Sequence, residues 1–199
     1  MQLLEMHLVR LGINQAKEVL LLADGAEWIW RRIPPLLKRL GCPPESIHEL
    51  LDFYHAAEHL QSFAKVAFSE PEIAQTWFKQ ARSEMKRGRV ADLIDTMQAI
   101  IGKSSGARPK TLAGELAYFT TGQQQGRLNY EKMTALKLPI GSGAIESLIR
   151  QVVNCRLKGT GKFWLLEHAE IMLHARCQWA AGTWGNFCDS ILTAMLYPA

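Results

Sequence analysis

The 199-residue sequence predicts a predominantly helical α/β fold with a short parallel sheet. Three observations carry that expectation. The run Val19-Leu20-Leu21-Leu22-Ala23 is apolar on both faces, as suits a buried parallel strand, and Asp24-Gly25 closes it. A briefer run over 46–51 ends in the same way, at Asp52. Much of the remaining chain carries apolar residues at helical spacing.

Taken in order, 3–11 is a short helix with Leu3, Leu4, His7, Leu8 and Leu11 on one side, ended by Gly12. The strand at 19–23 follows. A polar residue at the tip of such a strand often lies in a ligand crevice, which makes Asp24 a functional candidate. It is equally placed to cap the next helix. That helix, 28–40, contains Pro34-Pro35, which mark a break or the first turn of a second helix. Gly41 and Pro43-Pro44 stop it, and a weak second strand over 46–51 leads to Asp52.

Asp52 then opens a helix running to about Phe68. Within it, His55, Glu58 and His59 spell H-x-x-E-H, a zinc-protease pattern that puts both histidines on one helix face. No third ligand follows at a telling position, and a short pattern matches by chance easily. Two amphipathic stripes cover 71–103, with Lys86, Arg87 and Arg89 in the turn between them. The residues 103–109 read as a loop, 111–120 as a helix and 123–126 as a polar turn.

The stretch Gly141-Ser142-Gly143-Ala144-Ile145-Glu146-Ser147-Leu148-Ile149-Arg150 organises the rest. Pro139 and the glycines stop what precedes, and Ser142 suits the cap of a new helix. Ile145, Leu148, Ile149, Val152 and Val153 predict an apolar packing face. Glu146 and Arg150 lie beyond its edge, four apart, where they form an ordinary ion pair or part of a site. Downstream, Arg156, Lys158 and Lys162 alternate with Gly159 and Gly161 and lead to Trp164. Such a segment suits a phosphate backbone with a base stacked on the Trp, although its commoner use is a basic helix end with a glycine cap and a core Trp. A helix over 167–179 carries Leu166, Ala169, Leu173 and Cys177 on one face, and 182–199 reads as a packed tail.

Bulk properties narrow the classes. The hydrophobic fraction of 48% supports a buried core, and the net charge of +4 is compatible with nucleic acid without demanding it. The four cysteines form no close pair, so reduced thiols in a cytosol are expected rather than a disulfide framework or cysteine zinc site. No signal peptide, membrane span, repeat or low-complexity tract is visible.

Four pieces in order, Ala23-Asp24-Gly25-Ala26-Glu27-Trp28-Ile29-Trp30, Asp52-Phe53-Tyr54-His55, Leu138 to Ser147, and Arg156-Leu157-Lys158-Gly159 with Trp164, resemble the DDE transposases of bacterial insertion sequences. The likeness is to the Kra-type group, relatives of the Mutator-like enzymes, and spans about 15–185. It implies an incomplete ribonuclease H-like core over 1–70, a helical insertion over 71–137 and C-terminal helices over 138–199 that complete the core. It further implies that Asp24 and Glu146 are catalytic metal ligands, supported by the D-x-x-H element Asp52 and His55. Arg150, Arg156, Lys158, Lys162 and Trp164 would hold DNA at transposon ends and target. The implied cofactor is Mg²⁺ or Mn²⁺, hard ions that prefer carboxylate oxygens.

The family's first aspartate has no counterpart, because no aspartate precedes Asp24 and neither Glu5 nor Glu18 matches its position. The chain is therefore expected to be a C-terminal transposase portion, in a bacterial cytoplasm, with weak metal binding and little strand cleavage by itself. An unpaired sheet edge would favour a homo-oligomer. The rivals are a non-catalytic DNA-binding remnant, a metal-free helical interaction protein, and the zinc protease.

Overall fold

In the computed structural model, Val19–Ala23 forms β1 and Ile47–Leu51 forms β2. They pair in parallel, Val19 opposite Ile47 and Ala23 opposite Leu51. The structure describes residues 1–104 and 108–197. Helix α1 (Gln2–Arg10) precedes β1, and α2 (Glu27–Arg39) makes the crossover between the strands. The parallel pair and the mostly helical remainder are as the sequence predicts. Only Val19 of β1 is fully buried, however, because the described sheet has two strands and β1 is covered less than a central strand would be.

Helix α2 corrects one expectation. It runs unbroken through Pro34 and Pro35, although each proline removes an amide that would bond four residues back. Burial of Trp30, Pro34, Leu36 and Leu37 on the same helix offsets that loss. Leu37 joins Val19 and Cys42 in a small core, with Leu8 and Ile13 against it.

The larger core is helical. Helices α3 (Phe53–Ala67), α4 (Pro71–Lys86), α5 (Val90–Gly102), α6 (Arg108–Gln124) and α7 (Tyr130–Ala135) follow β2. Leu50, Leu60, Phe63, Met85, Met97 and Phe119 lie together at its centre. Segment 71–137 thus packs against α3 and belongs to the same compact unit, Met1–Ser142. Part of the loop expected over 103–109 lies outside the described residues. Helix α6 runs past the expected turn, taking in Gln123 and Gln124. Its Gly122 is forced by packing: a Cβ there would stand 2.8 Å from Leu51 Cδ1 and 3.0 Å from Leu128 Cδ1.

The second unit, Gly143–Ala199, holds α8 (Gly143–Ile149), a π-helical stretch at Arg150–Asn154, α9 (Cys155–Leu157), α10 (Leu166–Ala180) and α11 (Trp184–Leu196). The expected packing face from Ile145 to Val153 is not continuous. Ile145, Leu148 and Ile149 are exposed while Val152 is buried. The wider π turn shifts the angular position of everything after it, so a stripe counted at 3.6 residues per turn comes apart. Leu166 is likewise exposed rather than part of a buried face. The expected packed tail is largely helix α11, with Leu192, Met195 and Leu196 exposed. No helix among the described residues is long and apolar enough to cross a membrane.

Two glycines of α6 provide a test. A Cβ at Gly114 meets nothing within 4 Å, so Gly114→Ala should stabilise by about 0.4–1 kcal/mol through helix propensity. Gly122→Ala should instead destabilise by about 1–3 kcal/mol through overpacking. Urea unfolding midpoints decide it, and equal shifts for the two variants would refute the close approach at Gly122.

Candidate active site

The parallel register brings the two strand tips level. Ala23 stands opposite Leu51, and the Asp52 amide donates to the Ala23 carbonyl at 2.8 Å. Asp24 and Asp52 therefore leave neighbouring strands side by side, at the carboxyl end of the sheet where α/β folds place their ligands. Asp24 is exposed. Its Oδ1 accepts from the Ala26 amide at 3.1 Å, and Gly25 between them has φ +108°. That bond closes a small turn. The cap position of α2 falls to Ala26, so Asp24 is not the helix cap.

Asp52 has the opposite surroundings. It is only 4% exposed and is the N-cap of α3. Its Oδ1 accepts from the amides of Tyr54 at 2.7 Å and His55 at 3.1 Å, and its Oδ2 from the Ser142 amide at 2.6 Å. Burial works to raise its pKa. Hydrogen bonds from the Ser142 side chain and from the His55, Ser142 and Tyr54 amides outweigh burial and leave it below the usual value. Ser142 thus bonds Asp52 through both main chain and side chain. Next to it, a Cβ on Gly141 would lie 2.5 Å from the Tyr54 ring. The close approach that Gly141 permits is by a side chain of α3.

A second group of residues flanks the tips. The His59 Nδ1 lies 2.6 Å from Glu115 Oε2, and the His55 Nδ1 lies 3.4 Å from Glu58 Oε2. The two imidazole rings meet edge to face at 5.0 Å. Tyr118 stacks on His59 with centroids 3.9 Å apart. Burial, then the charges of Asp52 and Asp24, push the Tyr118 phenol well above its usual pKa, so it keeps its proton at neutral pH. Its oxygen is buried without a hydrogen-bond partner among the described residues. His55 thus sits beside Asp52 near the strand tips, whereas the sequence does not single out Glu115 or Tyr118. Their only sequence signal is a spacing of three on one helix, which says nothing of the distant His59 they meet.

Donor chemistry limits what this unit can hold. Among the described residues no three His, Cys, Asp or Glu side chains are grouped to hold a metal ion. The zinc pattern therefore gains no third ligand there. Asp52 spends both oxygens on hydrogen bonds. Among the described residues only Oδ1 of Asp24 is engaged, which leaves Oδ2 open to a hard cation.

In the second unit, Glu146 lies in the first turn of α8, Arg150 opens the π stretch and Arg156 sits in α9. Arg156, Lys162 and Trp164 line one cleft with Arg176, Trp179 and Trp184, of about 480 Å³. Trp164 is thus a cleft wall, not a core residue. Arg176, which the sequence did not single out, donates to the Gln151 carbonyl at 2.8 Å and fixes its guanidinium there. Lys158 lies in the chain between the cleft residues Arg156 and Lys162, before the turn at Gly161, whose φ is +74°. No family model, curated protein or solved structure matches the chain.

Asp52 generates a pH prediction. Its folded pKa lies below the ordinary 3.8, so its stabilisation is present above that value and lost as pH falls through the folded one. Asp52→Asn, which sets an amide group against the Ser142 donors, should destabilise by about 1–3 kcal/mol at neutral pH. The gap from wild type should close toward pH 2, read from urea midpoints across about pH 2–7. A gap that does not change with pH contradicts the assignment.

Proposed function

We propose that this chain is a catalytic-domain portion of a DNA transposase of the DDE type, built on a partial ribonuclease H-like core. The observation that carries the reading is the pair Asp24 and Asp52, side by side at the tips of adjacent parallel strands. One carboxylate there is consumed in holding the backbone, and the other faces outward with an oxygen to spare. The resemblance adds Glu146 as the second metal-binding carboxylate. Mg²⁺ or Mn²⁺ held by such oxygens would supply activation of a water or 3′-hydroxyl and stabilisation of the leaving oxygen of a phosphodiester. Hard cations want several oxygen ligands, so a two-carboxylate set binds them weakly.

The chain's own residues supply the rest. Asp52 keeps the start of α3 and the 141–142 turn against the strand tips. Tyr118, holding its proton, presents a neutral wall beside the two aspartates. Arg156, Lys158 and Lys162 offer cations to backbone phosphates, with Arg150 upstream and Trp164 as a stacking surface for a base. Asp52's full engagement also favours a second reading, a DNA-binding protein without strand-cleaving activity.

The test is a labelled duplex titrated with protein at several salt concentrations, alongside a nicking assay in Mn²⁺. The expected result is salt-dependent binding that weakens when Arg156, Lys158 and Lys162 are changed together to Ala. The log–log salt slope should drop by about 0.9 for each phosphate no longer neutralised. Nicking should stay at background. Robust nicking abolished by Glu146→Gln would overturn the expected inactivity, and absence of salt-dependent binding would overturn the DNA reading.

A further inference from the structure

A second basic surface lies in the Met1–Ser142 unit, on the face of α4. Lys79, Arg82 and Lys86 fall at i, i+3 and i+7, one stripe of the helix, and all three are exposed. Among the described residues none of them is paired with a carboxylate; the nearby Glu84 is engaged by Arg89. The three line a shallow groove of about 260 Å³ whose other wall is Phe53, Tyr54 and Ile140.

The groove is built rather than incidental. The Phe53 amide donates to the Ile140 carbonyl at 2.9 Å, closing the wall. The Arg82 guanidinium carbon stands 5.3 Å from the centre of the Phe53 ring, which aims that cation along the wall. Tyr54 packs edge-on against Phe53 and close to Gly141, yet remains 53% exposed. The result is a row of unneutralised cations beside an open aromatic ring anchored by its neighbours. Phe53 and Tyr54 directly follow Asp52, so the groove begins at the carboxyl end of the sheet.

Such a combination has a specific ligand chemistry. Cations without partners attract phosphate, and a fixed aromatic ring takes the face of a base. The charges span about 10 Å of helix axis at 1.5 Å per residue. A base within a duplex presents no free face, so Tyr54 selects for an unpaired strand. We infer that the Lys79–Arg82–Lys86 groove seats a single-stranded segment of nucleic acid, its phosphates on the three cations and one base on Tyr54. The inference rests on the nucleic-acid reading above and adds a site and a strand state to it.

The test uses the full chain and fluorescein-labelled oligonucleotides, one single-stranded and one duplex of equal length, followed by anisotropy across salt. A variant with Lys79, Arg82 and Lys86 all changed to Ala should bind the single strand at least tenfold more weakly. Its log–log salt slope should be shallower by about 2, three phosphates at roughly 0.7 each. The Lys79→Gln, Lys86→Gln double variant leaves the Arg82–Phe53 pair in place and should show about two thirds of that slope change. Tyr54→Ala should weaken single-strand binding on the order of tenfold and spare the duplex, while Tyr54→Phe stays near wild type. Thermal melting shows that each variant is folded, and an unfolded variant is replaced by the double variant or by Tyr54→Phe.

Several outcomes overturn the inference. One is unchanged single-strand binding by the double variant. Others are equal loss of single strand and duplex in Tyr54→Ala, or displacement of the oligonucleotide by polyglutamate as readily as by unlabelled strand. If the Arg156, Lys158, Lys162 variant loses binding and the α4 variants do not, this inference falls while the DNA reading stands. If wild type binds neither oligonucleotide, the DNA reading falls and takes this one with it.

Discussion

The Asp52 carboxylate is the constraint on which the first unit's site depends. Three backbone amides, two from the first turn of α3 and one from Ser142, converge on its two oxygens. Each would otherwise be a donor without an intrahelical or ladder partner near the strand tips. A buried carboxylate is unfavourable unless its oxygens are satisfied, and here the hydrogen bonds outweigh the burial. The same group therefore ends β2, starts α3 and anchors the turn that leads to Gly143. Removing its charge loosens three pieces of chain together.

That anchoring divides the labour between two aspartates. They occupy equivalent positions on neighbouring strands, yet one is buried and saturated while the other is exposed and, among the described residues, makes a single hydrogen bond. Asp52 works for the fold, and Asp24 is the one proposed for chemistry. The aromatic and imidazole groups nearby follow from the same arrangement. Because α6 packs on α3, Tyr118 is laid over His59 and close to both carboxylates, and Glu115 reaches the His59 nitrogen. Tyr54, held by Phe53 and by the small size of Gly141, is pushed outward at the head of the α4 groove.

Much of this was legible in the sequence, and the remainder was hidden for physical reasons. The apolar run ending in Asp24 and the shorter one ending in Asp52 announced two strands with an aspartate at each end, because local composition decides where a buried strand stops; that the two tips are level follows from the pairing register. The double proline was misleading, since the burial of Trp30 and Leu37 that keeps α2 whole is a tertiary effect. The stripe from Ile145 to Val153 failed because a π turn cannot be seen in residue spacing. Glu115 and Tyr118 could not be found from α6 alone, as their meaning lies in a histidine 56 positions earlier for Glu115. Lys79, Arg82 and Lys86 gain meaning only from Phe53 and Tyr54, which wall them in from another helix.

On the proposed function, Asp24 rather than Asp52 is the metal-binding member of the aspartate pair. Paramagnetic broadening of amide NMR signals by substoichiometric Mn²⁺ tests it directly. Broadening is expected to centre on Asp24, Gly25 and Ala26 and to be abolished there by Asp24→Asn. Broadening that is diffuse, that centres on other surface carboxylates, or that persists around residues 24–26 in the Asp24→Asn variant would contradict it.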